Sequence, residues 1–471
     1  MQRPNIILMN CDDLGYGDVG CYGSELNRTP AIDWLSQNGA TFTDFHSASP
    51  VCSPSRAALQ TGCYPKRIDF DTFDGFKVLF PGHPKGINRS EYTMPQLMKD
   101  AGYATMIVGK WHCGDQEEFL PLNYGFDHHY GLPYSNDMGR QEGRLVGATP
   151  AGWKYPFPPL PLLKDNEVIQ QQPDLASLTE RYVEHATGFV RESVRKQTPF
   201  FLYFAHMQVH LPLYAPARFE KNSQNGRFGA CVECVDWSVS VLLEQLKELG
   251  QLENTIFIFT SDNGSTATYG ASNGPLRGDK STNWEGGHRV PFIFFWKKLI
   301  DKPFTCDAIS SNMDLLPTFA EILDMPLSKN KIDGQSLLGV LKGDEQAAES
   351  MRERTLFHYF NSRLEAVRSG KWKLHLIRTN KAGKVSEKVN ELYDLRADIG
   401  EQNNVFDFHP DVVEKLTALA AQLRGEIGDA YEDVAGKEVR PAGRAKNPKP
   451  LTVHREDYPY IDAIYDRDDA G

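Results

Sequence analysis

Four short apolar runs, each closed by charged or amide residues, organise this chain. Asn5-Ile6-Ile7-Leu8-Met9 leads into Asp12-Asp13, and Ala104 to Val108 leads into Gly109-Lys110-Trp111-His112. Phe200 to Phe204 leads into His206 and His210, and Thr255 to Thr260 into Asp262-Asn263-Gly264. Each run is continuous rather than alternating and rich in β-branched or aromatic residues, the pattern of a strand covered on both faces of a parallel sheet. In open α/β sheets the functional groups gather beyond the carboxyl ends of the strands. Four stretches distant in sequence are therefore predicted to deliver their polar ends to one rim. Any one cluster fits a turn or a satisfied polar pair equally well; the coincidence of four argues for a site.

Strand and helix signals alternate from Asn5 to about Leu341, and the Pro-rich stretch Trp153 to Leu163 reads as a surface excursion. Leu341-Lys342-Gly343-Asp344 and the charged run to Arg354 mark a boundary. Beyond it Thr355 to Phe360, Leu364 to Ser369, Trp372 to Ile377 and Glu391 to Leu395 are short strand-like stretches separated by turn residues, as in an antiparallel sheet, and Asp411 to Glu426 has helical spacing. The expected organisation is an α/β domain over residues 1–345 built on a large, mostly parallel sheet, then a smaller α+β unit with an antiparallel sheet over 346–435. A polar tail or wrap follows over 436–471. No internal repeat is present.

With 471 residues, 40% hydrophobic and 24% charged, the chain can bury a sizeable core. Its net charge of −11 argues against a nucleic-acid partner, and no apolar run is long enough for a membrane span. An anionic substrate would therefore have to find a local basic pocket. The eight cysteines show no small-domain disulfide framework. Cys231-Val232-Glu233-Cys234 is a C-x-x-C, but it lies in a helical pattern with no second pair, so zinc or redox chemistry is disfavoured. Met1-Gln2-Arg3-Pro4 leads almost directly into the first apolar run, with no room for a signal peptide.

The carboxylates Asp12, Asp13 and Asp262, with the amide oxygen of Asn263, form a set of hard oxygen ligands suited to Ca²⁺ or Mg²⁺ rather than zinc. A second string, C-S-P-S-R-A-A-L-Q-T-G from Cys52 to Gly62, reads as a helix start: Ser53 can cap it, Pro54 fits its first position, and Arg56-Ala57-Ala58-Leu59 continue it. Cys52 then stands beside a helix N-terminus, where backbone N–H groups attract anions.

This string resembles the signature of the type I sulfatases, in which a maturation enzyme oxidises the cysteine to Cα-formylglycine. D-D-L-G-Y-G-D and S-D-N-G resemble the metal motifs of that family, most of all of its arylsulfatase A and N-acetylgalactosamine-6-sulfatase branch. G-K-W-H, A-H-M-Q-V-H-L-P-L and L-R-G-D-K-S-T-N-W-E-G-G-H-R-V-P match its basic motifs, and E-L-Y-D-L-R-A-D-I-G-E-Q-N-N its C-terminal pattern. The resemblance runs from Arg3 to about Asn404 and implies an alkaline phosphatase-like fold. It implies an aldehyde hydrate at Cys52 as the nucleophile, with Ca²⁺, or Mg²⁺, held by Asp12, Asp13, Cys52, Asp262 and Asn263. Arg56 and Lys110 would support the hydrate, Lys280 with His210 would protonate the leaving alcohol, and His112 would take the proton of the second hydroxyl so that sulfate is expelled. Ser135, in G-L-P-Y-S-N-D, matches a position that contacts sulfate. His210 aligns better than His206 with the sulfate-binding histidine, which leaves His206 a supporting role.

Two departures stand out: Cys113 where an aliphatic residue is usual, and Gly139 to Gln172, which carries no family motif. The resemblance further implies a sulfated small molecule or glycan as substrate, with carbohydrate favoured. A formylglycine-generating or anaerobic maturation enzyme is the implied partner. A mature form would act in the periplasm or outside the cell, and a complete chain would act in the cytoplasm. Two other readings stay open here. One is a phosphate or phosphonate monoester hydrolase of the same fold; the other is a sulfated-glycan-binding pseudoenzyme in which Cys52 is never converted.

Overall fold

The computed structural model describes residues 3–141, 157–381, 383, 386–455, 457, 459, 462–467 and 469. The four apolar runs become the strands Thr255–Ser261, Asn5–Cys11, Phe200–Ala205 and Ala104–Lys110, neighbours in that order at the centre of a ten-stranded sheet and all parallel. Odd and even residues serve opposite faces. Ile7 and Met9, Leu202 and Phe204, and Phe257 and Phe259 enter one hydrophobic core. Ile6 and Leu8, Phe201 and Tyr203, and Ile256 and Ile258 enter the other. An apolar residue at every position is thus what a doubly covered strand demands, and each fully buried Ile, Leu or Phe contributes about 1.5–3 kcal/mol.

The sheet continues on one side through His128–Leu132, parallel, and then the antiparallel pair Pro161–Lys164 and Glu167–Gln171. On the other side lie Phe292–Phe295 and Ala40–Phe42, both antiparallel steps, and Phe304–Cys306 at the edge. The Pro-rich stretch is therefore not an excursion where it is described. Leu160, Leu162 and Leu163 are fully buried, and Pro161 opens a strand, a position that needs no ladder N–H. Residues 153–156 of that stretch lie outside the described residues.

A separate four-stranded antiparallel sheet is formed by Thr355–Phe360, Arg363–Ser369, Trp372–Thr379 and Ser386–Asp394. The helix Pro410–Ile427 covers it with Leu416, Ala420, Leu423 and Ile427, a helical spacing that meets Leu364, Val367, Leu374 and Leu392. Near the C-terminus, Gly443–Arg444 pairs with Lys85–Gly86 and Tyr465 is buried against the first domain. No helix among the described residues is long and apolar enough to cross a membrane.

Candidate active site

Sheet register brings the predicted residues together. Cys11 lies opposite Ser261, Asn10 opposite Ala205 and Gly109 opposite Ala205, so Asp12, Asp262, His206 and Lys110 emerge side by side at one rim. Gly109 permits this approach: at φ 102° a side-chain carbon there would sit 1.9 Å from the Ala205 carbonyl oxygen. Asp13 and His112, just beyond their strands, hold left-handed backbones at φ 62° and 59°, a conformation that costs a non-glycine residue on the order of 1–3 kcal/mol.

The helix that carries Cys52 spans Cys52–Thr61 and is buried throughout. Ser53 does not cap it. Val51 is the extended residue that precedes it, Cys52 occupies its first turn, and the Ser53 hydroxyl instead accepts from the Leu79 N–H at 3.1 Å. Cys52 keeps the predicted place at the helix N-terminus, and the electrostatic surroundings of its thiol include Lys110, Lys280, Asp12 and Asp262. Burial pushes that thiol up, so an unmodified Cys52 would be a poor thiolate nucleophile.

Around it the charges interlock. Lys110 Nζ donates to Asp12 Oδ2 at 2.6 Å and to Ser135 Oγ at 3.1 Å. Arg56 Nε donates to Asp262 Oδ2 at 2.8 Å, and its Nη1 to the Lys110 carbonyl at 3.0 Å. Lys280 Nζ donates to Asp13 Oδ2 at 2.7 Å and to His210 Nε2 at 3.0 Å, while Ser135 Oγ lies 3.4 Å from the same nitrogen. Every one of these side chains is buried or nearly so. Burial pushes the Asp12 carboxyl up, but Lys110, His210 and Arg56 outweigh it and hold it far below the usual carboxylate range. Burial pushes Asp262 up to about 7 against the pull of Arg56, with the Asp12 charge adding to the rise.

The oxygen ligands fit a divalent cation. Asp12 Oδ1 and Asn263 Oδ1 are fully buried acceptors without a hydrogen-bond partner, a costly state in an interior unless a cation answers them. Asp13 is tied to both flanks of the set, accepting from Asn263 Nδ2 at 2.7 Å and donating its N–H to Asp262 Oδ1 at 3.2 Å. Asp12, Asp13 and His210 also bring ligand atoms within 4.8 Å of one another, with His210 Nε2 already facing Lys280 Nζ at 3.0 Å.

Two histidines have their tautomers set by backbone carbonyls, which can only accept. His112 Nε2 lies 3.0 Å from the Leu79 oxygen, so Nε2 carries the proton and the buried Nδ1, which has no partner, offers a lone pair. Burial, then the Lys110 charge, holds this imidazole far below its ordinary value and so neutral. His210 Nδ1 faces the Leu211 oxygen, which leaves Nε2 to accept from Lys280. His206 is fully buried, stacked on Phe204 with ring centroids 5.4 Å apart, and burial lowers it to about 3; it supports the rim from below.

Sequence reasoning missed the Leu79 carbonyl, which no side-chain motif announces, and Ser55, whose hydroxyl donates to the Asp262 carbonyl. Cys231 and Cys234 are buried free thiols on the helix Gly226–Glu248, and no metal-capable group among the described residues includes them.

A family model described as Sulfatase matches residues 4–325, and one described as N-sulphoglucosamine sulphohydrolase, C-terminal, matches residues 278–429. The chain is 36% identical to arylsulfatase A of Homo sapiens over 92% of this chain and 91% of that protein. It is 37% identical to N-acetylgalactosamine-6-sulfatase of Canis lupus familiaris over 79% of this chain and 72% of that one. The crystal structure of Ps i-CgsB in complex with k-i-k-neocarrahexaose superposes with a TM-score of 0.76 at 29% identity, covering 90% of this chain and 93% of that one.

Proposed function

Because the chain belongs to the sulfatase family of sulfuric ester hydrolases, we propose that it hydrolyses a carbohydrate sulfate ester, with residue 52 in the formylglycine form and one calcium ion at the carboxylate rim. The observation that carries this reading is the set of buried cations Lys110, Arg56 and Lys280, with His210 bonded to Lys280, held on carboxylates whose charges, with those of Lys110 and Lys280, act on Cys52 and beside which Asp12 Oδ1 and Asn263 Oδ1 remain unpaired. Carbohydrate is favoured because one relative is named for an amino-sugar sulfate and a similar structure holds a neocarrahexaose. When present, the aldehyde hydrate supplies two hydroxyls on one carbon, and the cation, held by Asp12, Asp13, Asp262 and Asn263, neutralises sulfate oxygens.

The chain's own residues supply the rest. Arg56 and Lys110, pinned by Asp262 and Asp12, present fixed positive charge to a sulfuryl group and need no reorganisation as negative charge develops. Burial would strip the Lys280 proton, but Asp13 outweighs burial and holds the ammonium charged, so Lys280 starts as a proton donor. His210 fixes its direction, with Ser135 Oγ beside the same His210 nitrogen. His112, neutral and with Nδ1 free, is a proton acceptor and serves the elimination that releases sulfate. A phosphate or phosphonate monoester hydrolase is less well supported, because the matching family model and the curated relatives at 36–37% identity are sulfatases.

These roles separate by experiment. Lys280→Ala should lose on the order of 10²–10³-fold with poor leaving groups and far less with an activated aryl sulfate, because a low-pKa phenolate needs little protonation. His112→Ala should release about one equivalent of alcohol in a burst and then stall. Pre-steady-state kinetics on converted enzyme reads both. Equal losses across all leaving groups, with no burst from His112→Ala, would show the assignment of roles to be wrong.

A further inference from the structure

The segment that carries Lys280 is gripped from outside the large sheet. Five residues on, Glu285 is fully buried; its Oε1 accepts from Lys373 Nζ at 2.9 Å and its Oε2 from Arg368 Nη1 at 3.2 Å. The Glu285 N–H donates to Glu401 Oε2 at 2.7 Å, and Glu401 is itself paired with Lys373 at 3.2 Å and His375 at 2.9 Å. Asn283 Nδ2 donates to Glu365 Oε2 at 2.7 Å, and Trp284 is covered by the Arg277 guanidinium at 3.8 Å and the Arg378 guanidinium at 5.1 Å. Lys373, Arg368, Glu365, His375 and Arg378 all belong to two strands of the C-terminal sheet.

Its hairpin tip reaches the residues flanking Lys280. Lys381 pairs with Asp279, and Lys77 Nζ donates to Ser281 Oγ at 2.8 Å and to the Lys381 carbonyl at 3.3 Å. At the other end the segment lies against the cation-binding loop so closely that a side-chain carbon on Gly264 would sit 1.8 Å from the Gly286 oxygen.

His46, Glu285 and His358 could suggest a second metal centre here. The charges argue otherwise: Arg368 Nη1 already lies 2.8 Å from His46 Nε2, and of these side chains only ring nitrogens, not carboxylate oxygens, lack a partner. This is a charge network in which removing one member leaves another charge buried and unanswered. We propose that the C-terminal sheet is a positioning element of the reaction, with Lys373, Arg368 and Glu401 fixing Glu285 and Lys381 fixing Asp279. Together they hold the Lys280 ammonium against Asp13 and His210. This rests on the proton-donor reading of Lys280.

The test measures kcat and KM of converted enzyme over a series of substituted phenyl sulfates of rising phenol pKa. Lys373→Met keeps the volume and removes the charge, and the exposed Lys381→Ala carries the same test should the buried variant fail to fold. Each is expected to steepen the leaving-group dependence, losing about tenfold in kcat on the poorest leaving group and little on the best, as misplacement of a proton donor should. KM and the calcium-induced rise in melting temperature should be unchanged, and neither variant should add to the loss in Lys280→Ala. Uniform losses over all substrates, or losses additive with Lys280→Ala, would overturn the proposal. If Lys280→Ala steepens the dependence and neither sheet variant does, the positioning role alone falls. If Lys280→Ala shows no such dependence, the proton-donor reading falls and the positioning role with it.

Discussion

Replacing Cys52 by serine is expected to end multiple turnover, lowering kcat by on the order of 10³-fold or more, while the protein still folds. Serine brings a single hydroxyl to the first turn of the Cys52–Thr61 helix. His112 then has no second hydroxyl proton to take, so any transfer stops after one event. Folding survives because the change is small, and the charged neighbours Lys110, buried, and Lys280, largely so, tolerate a hydroxyl as readily as a thiol. Near-normal melting with no sustained sulfate release is the expected pair of results. Sustained turnover by Cys52→Ser would remove the basis for formylglycine chemistry.

Calcium should raise the melting temperature of the wild-type protein, and Asp13→Ala should lose that response together with activity. The ligands come from loops some 250 residues apart in sequence, Asp12-Asp13 and Asp262-Asn263, so a cation that joins them binds the folded chain alone. At about a hundredfold excess over its dissociation constant such an ion adds about 2.7 kcal/mol by mass action. Asp13→Ala has a second cost, because it leaves Lys280 buried without its carboxylate. The variant should therefore melt below wild type even in chelator, and its kcat should fall at least about a hundredfold. Thermal melts and rates with chelator, calcium and magnesium decide the matter. An unchanged melting curve on chelation, or full activity in Asp13→Ala, would refute the cation site.

The rim was legible because its strands are buried on both faces. Ile6 to Met9 and Ile256 to Phe259 are apolar at every position, and the residues that follow each run are the ones that do chemistry. Local turn chemistry was less legible. Ser53 looks like a helix cap, but Val51 enters the helix extended and leaves the serine inside the first turn. Pro161 looked like a loop marker, but an edge hairpin accepts proline at the start of a strand. The grip on Lys280 was not legible. In W-K-L-H-L-I-R-T the sequence shows a strand but no partner for Lys373 or His375, and only the packing of two sheets around Glu285 buries them against charge.

Mass spectrometry of the peptide containing residue 52, run beside sulfate-release assays on the same preparations, tests the central claim most directly. Conversion should appear as a loss of about 18 Da, a carbonyl oxygen in place of a thiol and hydrogen. Across preparations made with and without a maturation enzyme, turnover should rise in proportion to the converted fraction and vanish where residue 52 remains cysteine. Full turnover from unconverted Cys52, or none from fully converted protein with calcium present and a range of sulfated sugars and aryl sulfates supplied, would contradict the account.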